Sequence, residues 1–461
     1  MGTELEKRYG LITAICMVVG IVVGSGVFFK AEKILTATGG DLPLGILAWI
    51  IGGLIMIVCA YTFAVMATKY EKVNGIVDYA EATCGPKYGY AVGWFLSVIY
   101  YPTLTSVLAW VSARYTFVLF GSDDITGGGC IALTLCYLVA SYAINALSPI
   151  IAGKFQVTTT FIKLIPLLVM AVVGTVVGLS NGLLIENFTT IPTTAEILGV
   201  KESYTPASSA ILTAVVATAF AYEGWIIATS INAELKDAKK NLPKALVGGT
   251  FIIMLVYILY YVGLAGASDN LTMIAGGEAG AKLAFSNVFG TMGGTLFFVF
   301  VVISCLGTLN GLMLGCCRGI YSLAARGKGP KPEVFSQVDS ITNMPTNASI
   351  LGLLLCGIWF LYFYGANLTE PWFGIFSFDT SELPIVTIYG FYILIFINMM
   401  RKEKTLNKFQ RFVAPALAMC GSVFMIYAAF FAHGYVAVLC YLALFALVMM
   451  VGMHFYNKKT Q

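Results

Sequence analysis

Charge is scarce in this sequence. Only 11% of its 461 residues are Asp, Glu, Lys or Arg, against 59% hydrophobic, and the mean hydropathy is +0.86. This excludes an ordinary soluble domain, whose interior cannot absorb so much apolar surface. Histidine is nearly missing: His433 and His454 are the only two and neither has a metal-ligand spacing, so no zinc site, no other metal and no cofactor is expected. The eleven cysteines include no C-x-x-C pair, which favours packing over disulfide or metal roles. Long polar stretches are lacking too. The longest connections, 181–208, 268–293 and 325–346, leave no room for a separate catalytic or regulatory domain. No nucleophile with a base, carboxylate pair or metal cluster lies within the apolar stretches, so the chain does not read as an enzyme. The first apolar stretch has no small-residue cleavage site and a second follows at once, so it reads as a retained helix.

What the sequence does contain is a series of apolar runs, each long enough to cross roughly 30 Å of hydrocarbon at 1.5 Å per residue. The spans expected are 11–34, 43–68, 88–120, 130–147, 154–180, 209–232, 246–267, 294–324, 347–366, 372–399, 411–432 and 434–456, an all-α integral membrane protein with both termini on one side. Basic residues choose that side. Lys7, Arg8, Lys69, Lys72, Lys87, Lys236, Lys239, Lys240, Lys244, Arg326, Lys328, Lys331, Arg401, Lys402, Lys404, Lys408, Arg411, Lys458 and Lys459 fall in alternate loops or tails, and the opposite loops offer little beyond Lys201 and Lys282. The positive-inside rule therefore puts both termini in the cytoplasm. The net charge of +4 follows from topology and does not point to nucleic acid. Residues 272–290 are expected as a short amphipathic helix on the opposite surface.

Two runs are interrupted in mid-span. Val22-Val23-Gly24-Ser25-Gly26-Val27-Phe28 breaks the first and Phe220-Ala221-Tyr222-Glu223-Gly224-Trp225 breaks the sixth. An unpaired backbone group in a bilayer costs several kcal/mol, so a broken helix persists only where protein or a wet cavity uses the freed groups. Amides at Ser25, Gly26 and Val27 would open a half-helix whose N-terminus attracts a carboxylate. Equally, the small residues Gly20, Gly24, Ser25 and Gly26 would let a neighbouring helix pack closely. Carbonyls freed between Phe220 and Gly224 suit an ammonium group. Together the breaks describe a site for a zwitterion, and two breaks five segments apart are what an inverted-repeat carrier requires. Glu223, an acid within a span, calls for a functional explanation. Lys163, Asp379 and Glu382 also lie inside expected spans, the latter two near the outer end of the tenth.

These breaks carry a resemblance over nearly the full chain. Gly24-Ser25-Gly26-Val27-Phe28 and Phe220 to Trp225 resemble the first- and sixth-helix motifs of the L-amino acid transporter family in the amino acid, polyamine and organocation superfamily. The stretch from Glu234 to Ala245 agrees with that family, as do Leu309-Asn310-Gly311, Arg318 and Ala325-Arg326-Gly327 around helix eight. Within the family the chain looks closest to bacterial alanine, serine and cysteine exchangers. The resemblance implies a LeuT-type five-plus-five inverted repeat, helices one to five over 11–180 and six to ten over 209–399, with discontinuous helices 1 and 6 and two additional helices over 411–456. It implies a substrate site formed by Val22, Val23, Gly24, Ser25, Gly26, Val27, Phe220, Ala221 and Glu223. Amides of Ser25 and Gly26 would take the carboxylate and carbonyls of Val22, Phe220 and Glu223 the amine, with Phe220 as the gate. The acid at Glu223 departs from the smaller or neutral residues commoner at that position. Lys154, at the start of the fifth helix, matches where sodium-driven relatives of the fold bind a cation and is expected as a built-in cation, with Ser304 as partner; read without the family, it would snorkel to the interface. Members with a heavy subunit attach it through a cysteine in the third outer loop. Here Gly121 to Gly129 has none and Cys130 stands at its edge, so no covalently linked heavy subunit is expected.

The function expected is sodium-independent exchange of small neutral L-amino acids across the plasma membrane by alternating access. A proton-coupled symporter is the alternative, and an amino-acid sensor with the same fold is the alternative of another class. A channel would favour a continuous polar pore over two occluding breaks.

Overall fold

The computed structural model describes residues 10–457 except 25, 71–74, 123, 227–234, 343 and 369. Its regular elements are all helices. The described residues begin with two half-length helices, α1 (Leu11–Val22) and α2 (Gly26–Ala37), in place of one spanning helix. There follow α3 (Leu42–Lys69), the short α4 (Ile76–Cys84), α5 (Pro86–Leu119), α6 (Gly128–Leu147) and α7 (Ile151–Ser180). A second half-length apolar helix, α8 (Ala210–Tyr222), precedes α9 (Ala238–Ala267), α10 (Gly280–Ala324), α11 (Thr346–Ala366), α12 (Leu383–Lys402), α13 (Phe409–His433) and α14 (Tyr435–Asn457). Among the described residues ten helices are long and apolar enough to cross a membrane, and the two short ones are those interrupted in sequence. This is the architecture of an all-α membrane protein with discontinuous first and sixth segments.

The half-helices are at the centre. α1 packs on α9, α2 packs on α8, and α3 lies against α8 and α9, while α10 runs between α5, α7 and α11. α13 and α14 pack at the periphery, and α14 is the least buried of the spans. Helix starts follow local chemistry: the Asp41 carboxylate accepts the Leu44 N–H at 2.9 Å, and Pro43 occupies the first turn of α3, where its missing N–H is not needed. At the end of the bundle richest in basic loops, Arg326 grips Asp78 at 2.6 Å and Glu81 at 3.5 Å, tying the end of α10 to α4. At the opposite end, the Asn270 amide donates to the Gly40 carbonyl at 2.9 Å and so holds the turn after α2. Short helices Leu183–Thr189 and Thr194–Val200 cover the same end. The latter starts with a capping box in which the Thr193 backbone N–H and hydroxyl hold the Glu196 carboxyl below its ordinary value.

Three expected boundaries change. The tenth span begins at Leu383 and not at 372, because the run Trp372, Phe373, Ile375, Phe376 forms a turn with exposed side chains and Pro384 sets the helix start; Asp379 and Glu382 thus precede the helix. The seventh begins at Ala238, eight residues before its apolar run. The 272–290 segment is a short helix, Asn270–Gly276, followed by the first turns of α10, which bend at Gly290 (φ 72°); Met273, Ile274, Ala281 and Phe285 are buried in the protein. The helix α4 has no counterpart in the expected spans.

Candidate functional site

α1 stops because Val23 turns extended (φ −64°, ψ 113°), its N–H making the last helical bond to Val19 at 2.8 Å. Carbonyls near a helix end have no partner further along the helix and must find one elsewhere. Two are accounted for by side chains. Lys163 of α7, fully buried, donates from Nζ to the Gly20 carbonyl at 2.8 Å, and the Tyr257 hydroxyl of α9 donates to the Val22 carbonyl at 3.2 Å. Protonated, this lysine would put a positive charge at the negative end of the α1 dipole. The second break has the same form. α8 ends at Tyr222, Glu223 is extended (φ −73°, ψ 157°), and Gly224 has φ 107°, which a residue with a Cβ rarely adopts.

The two breaks touch. A Cβ on Gly26 would lie 2.5 Å from Ala221 Cα, so only glycine permits this backbone-to-backbone approach. The Tyr257 hydroxyl bridges them, since it also reaches the Ala221 carbonyl at 3.1 Å. Its ring is held by stacking on Tyr222, centroids 5.3 Å apart, and by the edge of Trp49 at 5.6 Å, whose carbonyl accepts the Tyr222 hydroxyl at 2.9 Å.

Beside this junction lies a cavity of about 220 Å³ lined by Val22, Gly24, Gly26, Phe220, Glu223 and Gly224 from the breaks. Tyr100, Gln156 and Thr308 supply polar atoms from α5, α7 and α10, and several leucines complete the wall. Tyr100 closes a π-helical turn, Leu96–Tyr100, a local widening common at functional sites. The Glu223 carboxyl and Tyr100 hydroxyl face each other, and Glu223 Oε1 has no hydrogen-bond partner. Phe220 is 7% exposed and meets Phe29 edge to face at 5.8 Å. A second cavity of about 230 Å³ shares Gly311 and Leu314 with the first and leads past Tyr101 and Arg318 toward the basic end. Gln156 belongs to an amide network: Asn310 donates to it at 3.4 Å and to the Ala152 carbonyl at 3.3 Å, while Asn145 donates to Asn310 Oδ1 at 2.9 Å.

The structure thus brings together Val22, Gly24, Gly26, Phe220, Ala221 and Glu223. Val23 and Val27 are buried alongside, and Ser25 lies outside the described residues. It does not bring in Lys154, whose side chain is exposed near the start of α7. The position reached by a buried cation belongs to Lys163, nine residues or about 13 Å deeper along the same helix. The depth itself was the available signal: a lysine near a helix end reaches the interface, one this far in does not and must have a partner. Ser304 is fully buried on α10, but its hydroxyl makes no hydrogen bond to Lys163. Tyr257 and Tyr100 carried no sequence signal, being two of the chain's 25 tyrosines, both set in apolar runs. Cys130 is buried. Among the described residues no group of three His, Cys, Asp or Glu side chains is placed to hold a metal ion.

Comparison with known proteins agrees with this geometry. The amino acid permease family model matches residues 9–453. The serine/threonine exchanger SteT of Bacillus subtilis (strain 168) is 30% identical over 92% of this chain and 91% of its own. The b(0,+)-type amino acid transporter 1 of Oryctolagus cuniculus is 25% identical over 87% of this chain and 78% of its own, and the human large neutral amino acids transporter small subunit 2 is 26% identical over 75% and 62%. With broken first and sixth segments meeting at a buried cavity and a family model matched almost end to end, the chain belongs to the amino acid permease family.

Proposed function

We propose that this chain exchanges small neutral L-amino acids, of the alanine, serine and cysteine type, across the plasma membrane by alternating access, without sodium and with both termini cytoplasmic. The observation that carries the reading is the backbone contact of two broken helices beside a small cavity lined by both of them. One break offers amides at the start of α2 to a carboxylate, and the other offers carbonyls to an ammonium, so a zwitterion is held without a buried ionised partner for each charge. The Val22 and Ala221 carbonyls share the single Tyr257 hydroxyl proton, and each keeps a lone pair for the substrate amine. A volume of about 220 Å³ is below the roughly 300–1,000 Å³ of pockets for drug-sized ligands and suits a small side chain.

Lys163 supports sodium independence: its ammonium stands on the Gly20 carbonyl, at the end of α1, as a resident cation would. The relative named as a serine/threonine exchanger supports exchange. The two repeats are 11–180 and 209–399, each opening with a broken helix, with 411–456 added outside. Buried Cys130 supports transport without a disulfide-linked subunit.

Purified protein in liposomes, given labelled amino acids with and without internal substrate, tests the reading. Uptake of alanine or serine that needs internal amino acid and persists when choline replaces sodium is expected; absence of any uptake would favour a sensor. The Glu223 carboxyl, facing Tyr100 with its Oε1 free of any hydrogen bond, favours one second reading, proton-coupled uptake, which predicts accumulation driven by a proton gradient with no amino acid inside.

A further inference from the structure

Beyond the central cavity, on the side away from the basic loops, lies a buried ion pair. Lys30 of α2 is fully buried and its Nζ lies 2.5 Å from Glu382 Oε1 and 3.2 Å from the Ser381 hydroxyl, both just before α12. The other Glu382 oxygen lies 3.1 Å from Nε2 of His433, the last residue of α13. The same ammonium sits 5.1 Å from the centroid of the Phe220 ring, which lines the central cavity. Glu382 and His433 line a separate vestibule of about 550 Å³ that also presents Lys33, Asp379, Glu32 and Lys201. The pair therefore stands between two cavities, one face toward the site and the other toward a polar mouth.

We propose that Lys30 and Glu382, backed by His433, form a charged outer gate above Phe220 that is dry and paired when the outer path is shut and hydrated and separated when it is open; this rests on the carrier reading above. Three segments meet at the gate, the half-helix α2, the turn before α12 and the end of the peripheral α13, so opening must separate at least two of them. A buried pair contributes little net stability, since desolvation offsets its attraction, but losing one partner leaves the other charge buried and uncompensated. Removal of Glu382 alone thus penalises the shut state and not the open one, where Lys30 reaches vestibule water. Removal of Lys30 alone is milder, because His433 still faces the carboxylate. Removing both charges leaves a gate with nothing to strand.

Exchange kinetics in liposomes test this. Glu382→Gln should slow turnover at least tenfold while the apparent affinity for external substrate is kept or tightened, a split that general unfolding does not produce. Lys30→Arg should stay within about threefold of wild type, and the double variant Lys30→Met with Glu382→Gln should recover most of the turnover lost in Glu382→Gln. Wild-type turnover in Glu382→Gln, or a double variant as slow as that single one, overturns the gate. Should Glu382→Gln not fold, Lys30→Met takes its place against the same double variant, with a smaller expected loss. Failure of the wild type to exchange any amino acid would instead strike the carrier reading, so the two failures are distinguishable.

Discussion

Replacing Lys163 with methionine keeps most of the side-chain volume and removes the ammonium that caps α1. The buried Gly20 carbonyl then has no donor at 2.8 Å. A hydrogen bond from a charged donor contributes about 1.5–3 kcal/mol and a stranded buried carbonyl costs about 1–3 kcal/mol; these describe one loss and do not add. Relief of the lysine's own desolvation offsets part of it. A net of about 2 kcal/mol is a reasonable middle, which is roughly 30-fold in a population or rate at 1.36 kcal/mol per tenfold. The penalty falls on states in which α7 clasps the end of α1, so exchange in liposomes should drop by that order while carboxylate binding, made at the other half-helix, changes less. Lys154→Ala is the control. Its side chain is exposed, and substitutions of that kind stay within about 0.5 kcal/mol, so exchange should be near wild type. Wild-type exchange in Lys163→Met, or its loss in Lys154→Ala with Lys163 intact, would refute the assignment. Onset of sodium dependence in Lys163→Met would strengthen it.

Other expectations follow from the same contacts. Tyr257→Phe keeps the stack on Tyr222 but removes the donor to the Val22 and Ala221 carbonyls, so substrate affinity by calorimetry should weaken by about 1–3 kcal/mol; unchanged affinity would remove the bridge from the site. Gly26→Ala places a Cβ 2.5 Å from Ala221 Cα and should lower both melting temperature and binding, whereas Gly248→Ala, in α9 with open space around it, should be neutral or stabilising by up to about 1 kcal/mol. Because that clash is with backbone, loss of function in a larger Gly26 variant does not separate an amide cradle from close packing, and affinity in Tyr257→Phe is the cleaner measure. Phe220→Ala should retain binding and lose occlusion, seen as faster substrate dissociation; wild-type dissociation and turnover would reject the gate role. Glu223→Gln should leave exchange intact if Glu223 carries no coupled proton, and abolish gradient-driven accumulation if it does.

Much of this arrangement was legible one residue at a time. Apolar runs of spanning length have only one stable form in lipid, a helix whose backbone bonds close within the run, so segment number and the two breaks could be read directly. Errors came where apolarity and helicity part. Trp372 to Phe376 is apolar but turns, because Pro384 rather than hydropathy sets where α12 begins. Lys154 and Lys163 share one helix, and position in sequence told which was near the end but not what stood opposite either one.

The sequence by itself determined that the chain is a helical membrane protein, where its helices break and which residue types line the breaks, since these depend on local composition and on the cost of unpaired backbone in hydrocarbon. Only the tertiary structure decided the partners. That Lys163 meets Gly20 across 143 positions, that Tyr257 joins Val22 to Ala221, and that Lys30 finds Glu382 across 352, all depend on how helices pack side by side. Such contacts arise from the rotation and depth of one helix against another, which no periodicity along a single run encodes.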